Sequence, residues 1–258
     1  NAYQTISLKD HLYLEMLQLQ LVRIAAMNLN GYDATFTKTN LVEVDENLSS
    51  MVQMIKSFRL KYGTKGALKK RFQSLYEEIQ KAQKVLRKNP DFDSFNRLDF
   101  ITFHIEKINR DLVLLHQDLG LPWSDHKQAL RLDSERLFSK ESLNPQFFSI
   151  YYSDESNLEK QAALGKLLFY DPVLSANNER ACSSCHQPDR AFTDGLKTSM
   201  AFNMEGSVQR NAPTLLDVLY QKAFFYDGKA YQLEQQIRDV VHNEHEMGAK
   251  LSDVVLKL

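Results

Sequence analysis

Apolar residues recur at spacings of three and four through the first part of the chain, the period of one helix face. Leu14, Leu17, Leu21 and Ile24 form the first stripe, and Asn30-Gly31 stops it. A second runs Leu41, Val44, Leu48, Met51, Ile55, Phe58, Tyr62 and closes at Gly63. The third is Leu68, Phe72, Leu75, Ile79, Ala82, Leu86, closed by Asn89-Pro90. The fourth is Leu98, Ile101, Ile105, Ile108, Leu112, Leu115, closed by Gly120 and Pro122. Each stripe needs a partner to cover it, so residues 1–120 are predicted to form an antiparallel helix bundle.

The period fades over 121–157, a connector with Trp123, Pro145 and Phe147-Phe148 that is expected to pack against the second domain. From Leu158 the pattern changes. A short helix (Leu158 to Phe169) leads to Asp171-Pro172, the polar loop Ser175 to Arg180, and a loop-rich stretch with short helices. Residues 158–258 therefore read as a second, α-helical domain with long ordered loops, an arrangement usually wrapped around a cofactor. The fold class is all-α.

Composition sharpens this only a little. Lys and Arg number 32 against 33 Asp and Glu, so the chain lacks the basic surplus that would offset nucleic-acid phosphate. With 43% apolar and 25% charged residues it is neither disordered nor membrane-like, and no apolar run approaches the ~18 residues of a span. Nine Gly and six Pro suit helices better than a turn-rich β fold.

The bundle offers no obvious chemistry. His104 and His116 are too far apart along one helix to share a metal, and no Glu-x-x-His pair is repeated on facing helices. The basic run Lys81 to Lys88 reads as a solvated face. The chemistry lies in Cys182-Ser-Ser-Cys185-His186, which matches the C-x-x-C-H pattern of covalent haem attachment. Each thiol can add to a haem vinyl group, and the adjacent imidazole can turn to the iron. Three other readings stand beside it. A redox dithiol would want a βαβ context, a zinc site would want a fourth ligand nearer than His242, and two incidental cysteines would not need the histidine.

The flanking segments add specificity. They are Leu164-Gly-Lys-Leu-Leu-Phe-Tyr-Asp-Pro172, Leu174-Ser175, Ala191-Phe-Thr-Asp-Gly195, Arg210-Asn-Ala-Pro-Thr-Leu215, Phe225-Tyr-Asp-Gly-Lys-Ala230 and Glu246-Met-Gly248. In this order and at these spacings, residues from about 158 to 250 resemble the N-terminal haem domain of the bacterial di-haem cytochrome c peroxidase family. The leading bundle resembles an extension that some members carry.

The resemblance implies a cytochrome c-like haem domain in which Cys182 and Cys185 hold haem c and His186 is the proximal iron ligand. It implies that Glu246 is the distal acid/base, moving a proton between the two oxygens of peroxide as they part; otherwise Glu246 would read as a surface acid. Arg210 and Tyr226 fall beside the cofactor. Tyr226 stands where the family usually has Trp between its haems, and core packing is its plainer reading. Asn211 matches a calcium-binding position, an amide oxygen being a suitable hard ligand, although Asn before Pro213 also suits a turn.

Two departures from the family bear on mechanism. No histidine lies between His186 and His242, so the distal His that holds many members inactive when oxidised is absent, and Asn203 falls near its place. The expectation is an open distal side, with Met200 and Met204 as rival sixth ligands or as packing residues. The chain also begins at Asn1 without Met and stops at Leu258 with no second attachment motif. A processed or truncated polypeptide is expected, its second haem domain cut off or carried separately.

The leading function is reduction of hydrogen peroxide to water with electrons from a small cytochrome c or cupredoxin. A mono-haem electron carrier and a di-haem relative that oxidises a protein substrate are the alternatives. A homodimer is among the assemblies the resemblance allows. The periplasm is the expected location, since haem is attached to this motif outside the bacterial cytoplasm; an anchor upstream of Asn1 would be compatible with it.

Overall fold

A computed structural model describes residues 9–63, 66–124, 128–150 and 155–258. The described residues are helices and loops, with four isolated β-bridges and no strand. The chain divides into two compact units, 1–144 and 145–258.

The first unit is built on four helical segments. The first is α1 (Asp10–Arg23), extended by a π-turn over Ile24–Asn28. Next come α2 (Asn40–Tyr62) and α3 (Gly66–Lys88). The last segment is α4 (Arg97–Phe100), a π-turn at Ile101–Ile105, and α5 (Glu106–Asp118) in direct succession. α3 packs on α2 and α5, and α1 on α5. The predicted stripes form one core, in which Leu14, Leu21, Ile24, Val44, Leu48, Ile55, Phe72, Leu75, Ile79, Ile105, Ile108, Leu112 and Leu115 are wholly buried.

One stripe departs from its prediction. Leu98 is exposed, and Phe100 takes the core position instead. A π-turn inserts one residue into the 3.6-residue period, so the residue in line with Ile105 lies five positions back, not four or seven. The same offset joins Ile24 to Leu29, both buried. At the end of the first segment Gly31 has φ +83°, and a Cβ there would meet the Phe92 ring at 2.8 Å. Only glycine closes that turn without moving the ring.

The segment expected as a connector is shared between the two units. Its first part is strapped to the bundle by buried polar side chains. Glu15 accepts from Ser124 N (2.8 Å) and Oγ (2.6 Å), and Gln18 donates to the Leu132 carbonyl at 2.7 Å. Asn109 donates to the carbonyls of Ser134 and Glu135, each at 3.1 Å, and Leu137 joins the apolar core. Hydrogen-bonding residues on the inner helix faces thus satisfy a loop backbone that would otherwise be buried unpaired. Trp123 stacks on His116 with centroids 3.6 Å apart. Phe148 belongs to the second unit, edge-on to Tyr220 at 5.2 Å.

The second unit contains α6 (Glu155–Tyr170), α7 (Leu233–His242) and α8 (Leu251–Lys257), linked by long loops and single 3-10 turns. Its apolar core is small: Val241, Ala249 and Val254, with Leu174 beside them. None of the described side chains of α6 is buried, and Leu164, Leu167 and Tyr170 lie exposed along it. A helix with an uncovered apolar face draws little stability from packing.

Candidate functional site

The attachment motif forms one tight turn. Cys182–Ser184 is a 3-10 turn, entered through Ala181 and closed by hydrogen bonds from the N–H groups of Cys185 (3.3 Å) and His186 (3.0 Å) to the Cys182 carbonyl. Ser184 returns its hydroxyl to the Ala181 N–H at 3.1 Å. Both thiols are free and half-buried. Burial raises the pKa of each, and at Cys185 the positive charge of Arg180 works against that rise.

The His186 ring is fixed by the next loop. Its Nδ1 lies 3.0 Å from the Phe192 carbonyl, which leaves Nε2 as the free ring nitrogen. Ala191 (φ +52°) and Phe192 (φ +60°) are both left-handed, and together they turn that carbonyl toward the ring. Gln187 N to Thr193 O (3.2 Å) and Phe192 N to Gln187 O (2.8 Å) close the loop, and Thr214 Oγ1 donates to Ala191 O at 2.6 Å. An imidazole held at one nitrogen by a backbone carbonyl has the usual outer-shell arrangement of a metal-ligating histidine.

Glu246 lies in a turn whose three successive N–H groups, from Glu246, Met247 and Gly248, all donate to the Asn243 carbonyl at 2.9–3.1 Å. The side chain is half-buried. Burial raises its pKa above the usual carboxylate value, while Asn243, Lys229, Arg180 and His186 pull it the other way. The charges of His186 and Arg180 therefore reach Glu246, and Glu246 in turn raises the pKa of Cys185. Cys185, His186, Arg180 and Glu246 thus share one electrostatic neighbourhood, which Cys182 joins through Cys185.

The hairpin-like loop 199–208 stands over the same neighbourhood. Val208 N bonds Ser199 O at 2.8 Å, Met200 bridges to Ser207, and Phe202 N reaches the His245 carbonyl at 2.8 Å. Asn203 is exposed, with its Oδ1 accepting from Glu205 N. Met200 and Met204 are also exposed, and the Met204 sulfur lies 3.6 Å from an Arg180 nitrogen. Arg210 sits 5.0 Å from the Tyr226 ring centre in a cation–π contact. Tyr226 is 91% exposed, so its core-packing reading does not hold in this chain. Asn211 is exposed, and among the described residues no group of three His, Cys, Asp or Glu could hold a metal ion.

Three residues escaped sequence reasoning. Arg180 and Ser175 end and begin a stretch that read as a polar surface loop, yet both are buried. Phe192 contributes through its carbonyl, and side-chain identity gives no sign of that.

Comparison with known proteins places this geometry. Residues 159–258 match the family model for di-haem cytochrome c peroxidase. The similarity of this segment is thus to the di-haem cytochrome c peroxidase family. The methylamine utilization protein MauG of Methylorubrum extorquens is 36% identical over 99 residues, 38% of this chain and 28% of the relative. MauG of Methylophilus methylotrophus is 36% identical over 106 residues, 41% of this chain and 31% of the relative. Cytochrome c551 peroxidase of Pseudomonas aeruginosa is 35% identical over 89 residues, 34% of this chain and 25% of the relative. The chain thus spans about a quarter to a third of the length of these relatives.

The family this segment resembles implies covalent haem c, and the residues present fit that group. Two free thiols share a turn with an imidazole whose Nδ1 is already anchored. The second unit also has only a small apolar core among the described residues while exposing Leu164, Leu167, Leu196, Leu216 and Ile237. A large apolar macrocycle would supply the buried surface that such a unit is short of.

Proposed function

We propose that this chain carries the peroxide-reducing site of a di-haem cytochrome c peroxidase-type enzyme. The observation that carries the reading is the Cys182–His186 turn, in which the His186 Nδ1 is anchored on the Phe192 carbonyl at 3.0 Å, with the half-buried Glu246 near enough to Cys185 to raise its pKa. Cys182 and Cys185 would hold haem c through thioether bonds, and His186 would ligate its iron through the ring nitrogen that the Phe192 carbonyl leaves free. When bound, haem supplies the redox chemistry that two-electron reduction of peroxide requires.

The protein supplies proton control. Hydrogen peroxide takes up two electrons and two protons to give two waters, and heterolysis asks for a proton to leave one oxygen and arrive on the other. The Glu246 carboxylate accepts the first and returns it to the departing oxygen. Burial raises its proton affinity, which suits it to both halves of that transfer. His186 keeps its orientation because Nδ1 is occupied by the Phe192 carbonyl.

The sixth iron position of a bound haem would be open in the oxidised state. Asn203 commits its oxygen to a local turn, and the Met204 sulfur is engaged by Arg180. Electrons would come from a small cytochrome c or cupredoxin by way of a second haem domain, and Tyr226, in contact with Arg210, is proposed to adjoin the cofactor. Asn211 contributes one oxygen to a calcium ion whose other ligands come from elsewhere. The periplasm is the proposed site of action; no helix among the described residues is long and apolar enough to cross a membrane.

The test is rapid mixing of the haem-loaded, oxidised chain with hydrogen peroxide. A fast spectral change without prior reduction, followed by donor oxidation, is the expected result. An oxidised spectrum that is wholly low-spin, with no reaction, contradicts the reading and favours a mono-haem electron carrier.

A further inference from the structure

We propose that Arg180 is a positioning residue that holds loop 199–208 in place and, through it, the turn bearing Glu246. This rests on the peroxide-reducing reading of the site. Arg180 is 8% exposed, and among the described residues its guanidinium meets no carboxylate at ion-pair distance. Its donors go to backbone instead. Nη1 donates to the Met200 carbonyl at 2.8 Å and Nη2 to the Ala201 carbonyl at 2.9 Å, with the Met204 sulfur 3.6 Å from Nη2. A buried cation spent on two consecutive carbonyls of one loop is a structural clamp, and charge assistance makes each bond stronger than a neutral one.

The clamp is itself well seated. The Arg180 N–H donates to the buried Ser175 hydroxyl at 3.2 Å, which in turn donates to the Pro172 carbonyl at 2.9 Å. Arg180 also stands two residues before Cys182, so the loop is tied to the attachment turn rather than to a remote surface.

From the clamped carbonyls the path to Glu246 is short. Phe202, next after Ala201, donates its N–H to the His245 carbonyl at 2.8 Å, one residue before Glu246. On the other side of Glu246, a Cβ built on Gly248 would meet the Phe202 ring at 3.2 Å, so ring and turn lie in close contact. Arg180 fixes Met200 and Ala201, those fix Phe202, and Phe202 fixes the backbone on both sides of Glu246. The planar fork matters, because a lysine ammonium is a compact point charge that does not reproduce paired donors in fixed geometry.

The experiment compares the haem-loaded full chain with R180Q and R180K. Three quantities are read: chymotryptic cleavage after Phe202, the absorption spectrum of the oxidised haem, and the second-order rate with hydrogen peroxide. For R180Q, cleavage is expected to rise and the peroxide rate to fall, each by about tenfold, the scale of one lost charged hydrogen bond. The spectrum shifts as the loop methionines are released, a change that general destabilisation does not produce. R180K, which keeps the charge and one carbonyl, restores part of each and covers the case in which R180Q does not fold. Wild-type values for cleavage and spectrum in both variants overturn the proposal, as does a slowed peroxide reaction with loop protection unchanged. If the wild-type chain ignores peroxide, the functional reading falls, while protection and spectrum still decide the role of Arg180.

Discussion

The His186 Nδ1 and the Phe192 carbonyl oxygen are 3.0 Å apart, and two consecutive left-handed residues make the contact. Such backbone is costly for residues with a Cβ and is found where surrounding structure requires it. Here it fixes the ring plane of the residue proposed to bind iron. Ala191→Gly removes the Cβ penalty at φ +52° without touching the Phe192 carbonyl. The variant should be more stable by about 1 kcal/mol in the second unit, read as a raised thermal midpoint of the haem-loaded protein. An unchanged or lowered midpoint speaks against stored strain in this loop.

Gly248 has φ +64° and the Phe202 ring close above it. Gly248→Ala therefore meets both backbone strain and a ring that must shift. A loss of about 1–2 kcal/mol is expected from the left-handed backbone alone. The peroxide rate should fall with it, because the displaced turn carries Glu246. Denaturant unfolding and stopped-flow absorbance check the two effects separately.

Acid sensitivity is expected in the bundle. His116 is fully buried, neither ring nitrogen has a protein partner, and burial lowers its pKa below the ordinary 6.5. The unfolded chain then binds a proton that the folded chain refuses. The neutral-form advantage is present above pH 6.5 and is lost as pH falls toward the lowered folded value. His104 shifts in the same direction for the same first cause. His116→Phe keeps a ring against Trp123 and removes one of the two titrations. The slope of stability against pH below 6.5 should flatten, by at most about 1.4 kcal/mol per pH unit. An identical slope in the variant contradicts the burial argument.

Glu246 should leave its mark on the pH profile of the peroxide reaction. Burial raises its pKa, and only the carboxylate can accept a proton, so the rate should climb with pH through a value above the ordinary 4.5. Glu246→Gln should be slower by about 10²–10⁴-fold, the usual worth of a positioned acid/base, and flat over that range. A variant that reacts as fast as wild type removes the acid/base assignment.

Much of the bundle was legible because burial and helical period coincide in it: Leu14, Leu48, Ile79 and Leu112 all fall where spacing puts them. Leu98 failed because a π-turn, which leaves no mark in an apolar count, moved the phase by one residue. In the second unit the motif residues were legible as chemistry, since thiol spacing and the neighbouring imidazole constrain each other directly. Arg180 was not, because a charged residue in a polar loop reads as solvated until its partners prove to be backbone carbonyls. The Phe192 carbonyl was hidden for a related reason: every residue carries one, and only the backbone dihedrals decide where it points.

The central claim is that Cys182 and Cys185 bind haem covalently with His186 as its proximal ligand. The most direct measurement is intact mass and pyridine haemochrome absorbance after acid extraction, on the chain expressed with a c-type maturation system. The account predicts haem retained through extraction in the wild type, a spectrum shifted toward single thioether attachment in Cys182→Ser, and complete loss in the double serine variant. A colourless wild-type chain, or haem fully extracted by acid, would contradict it.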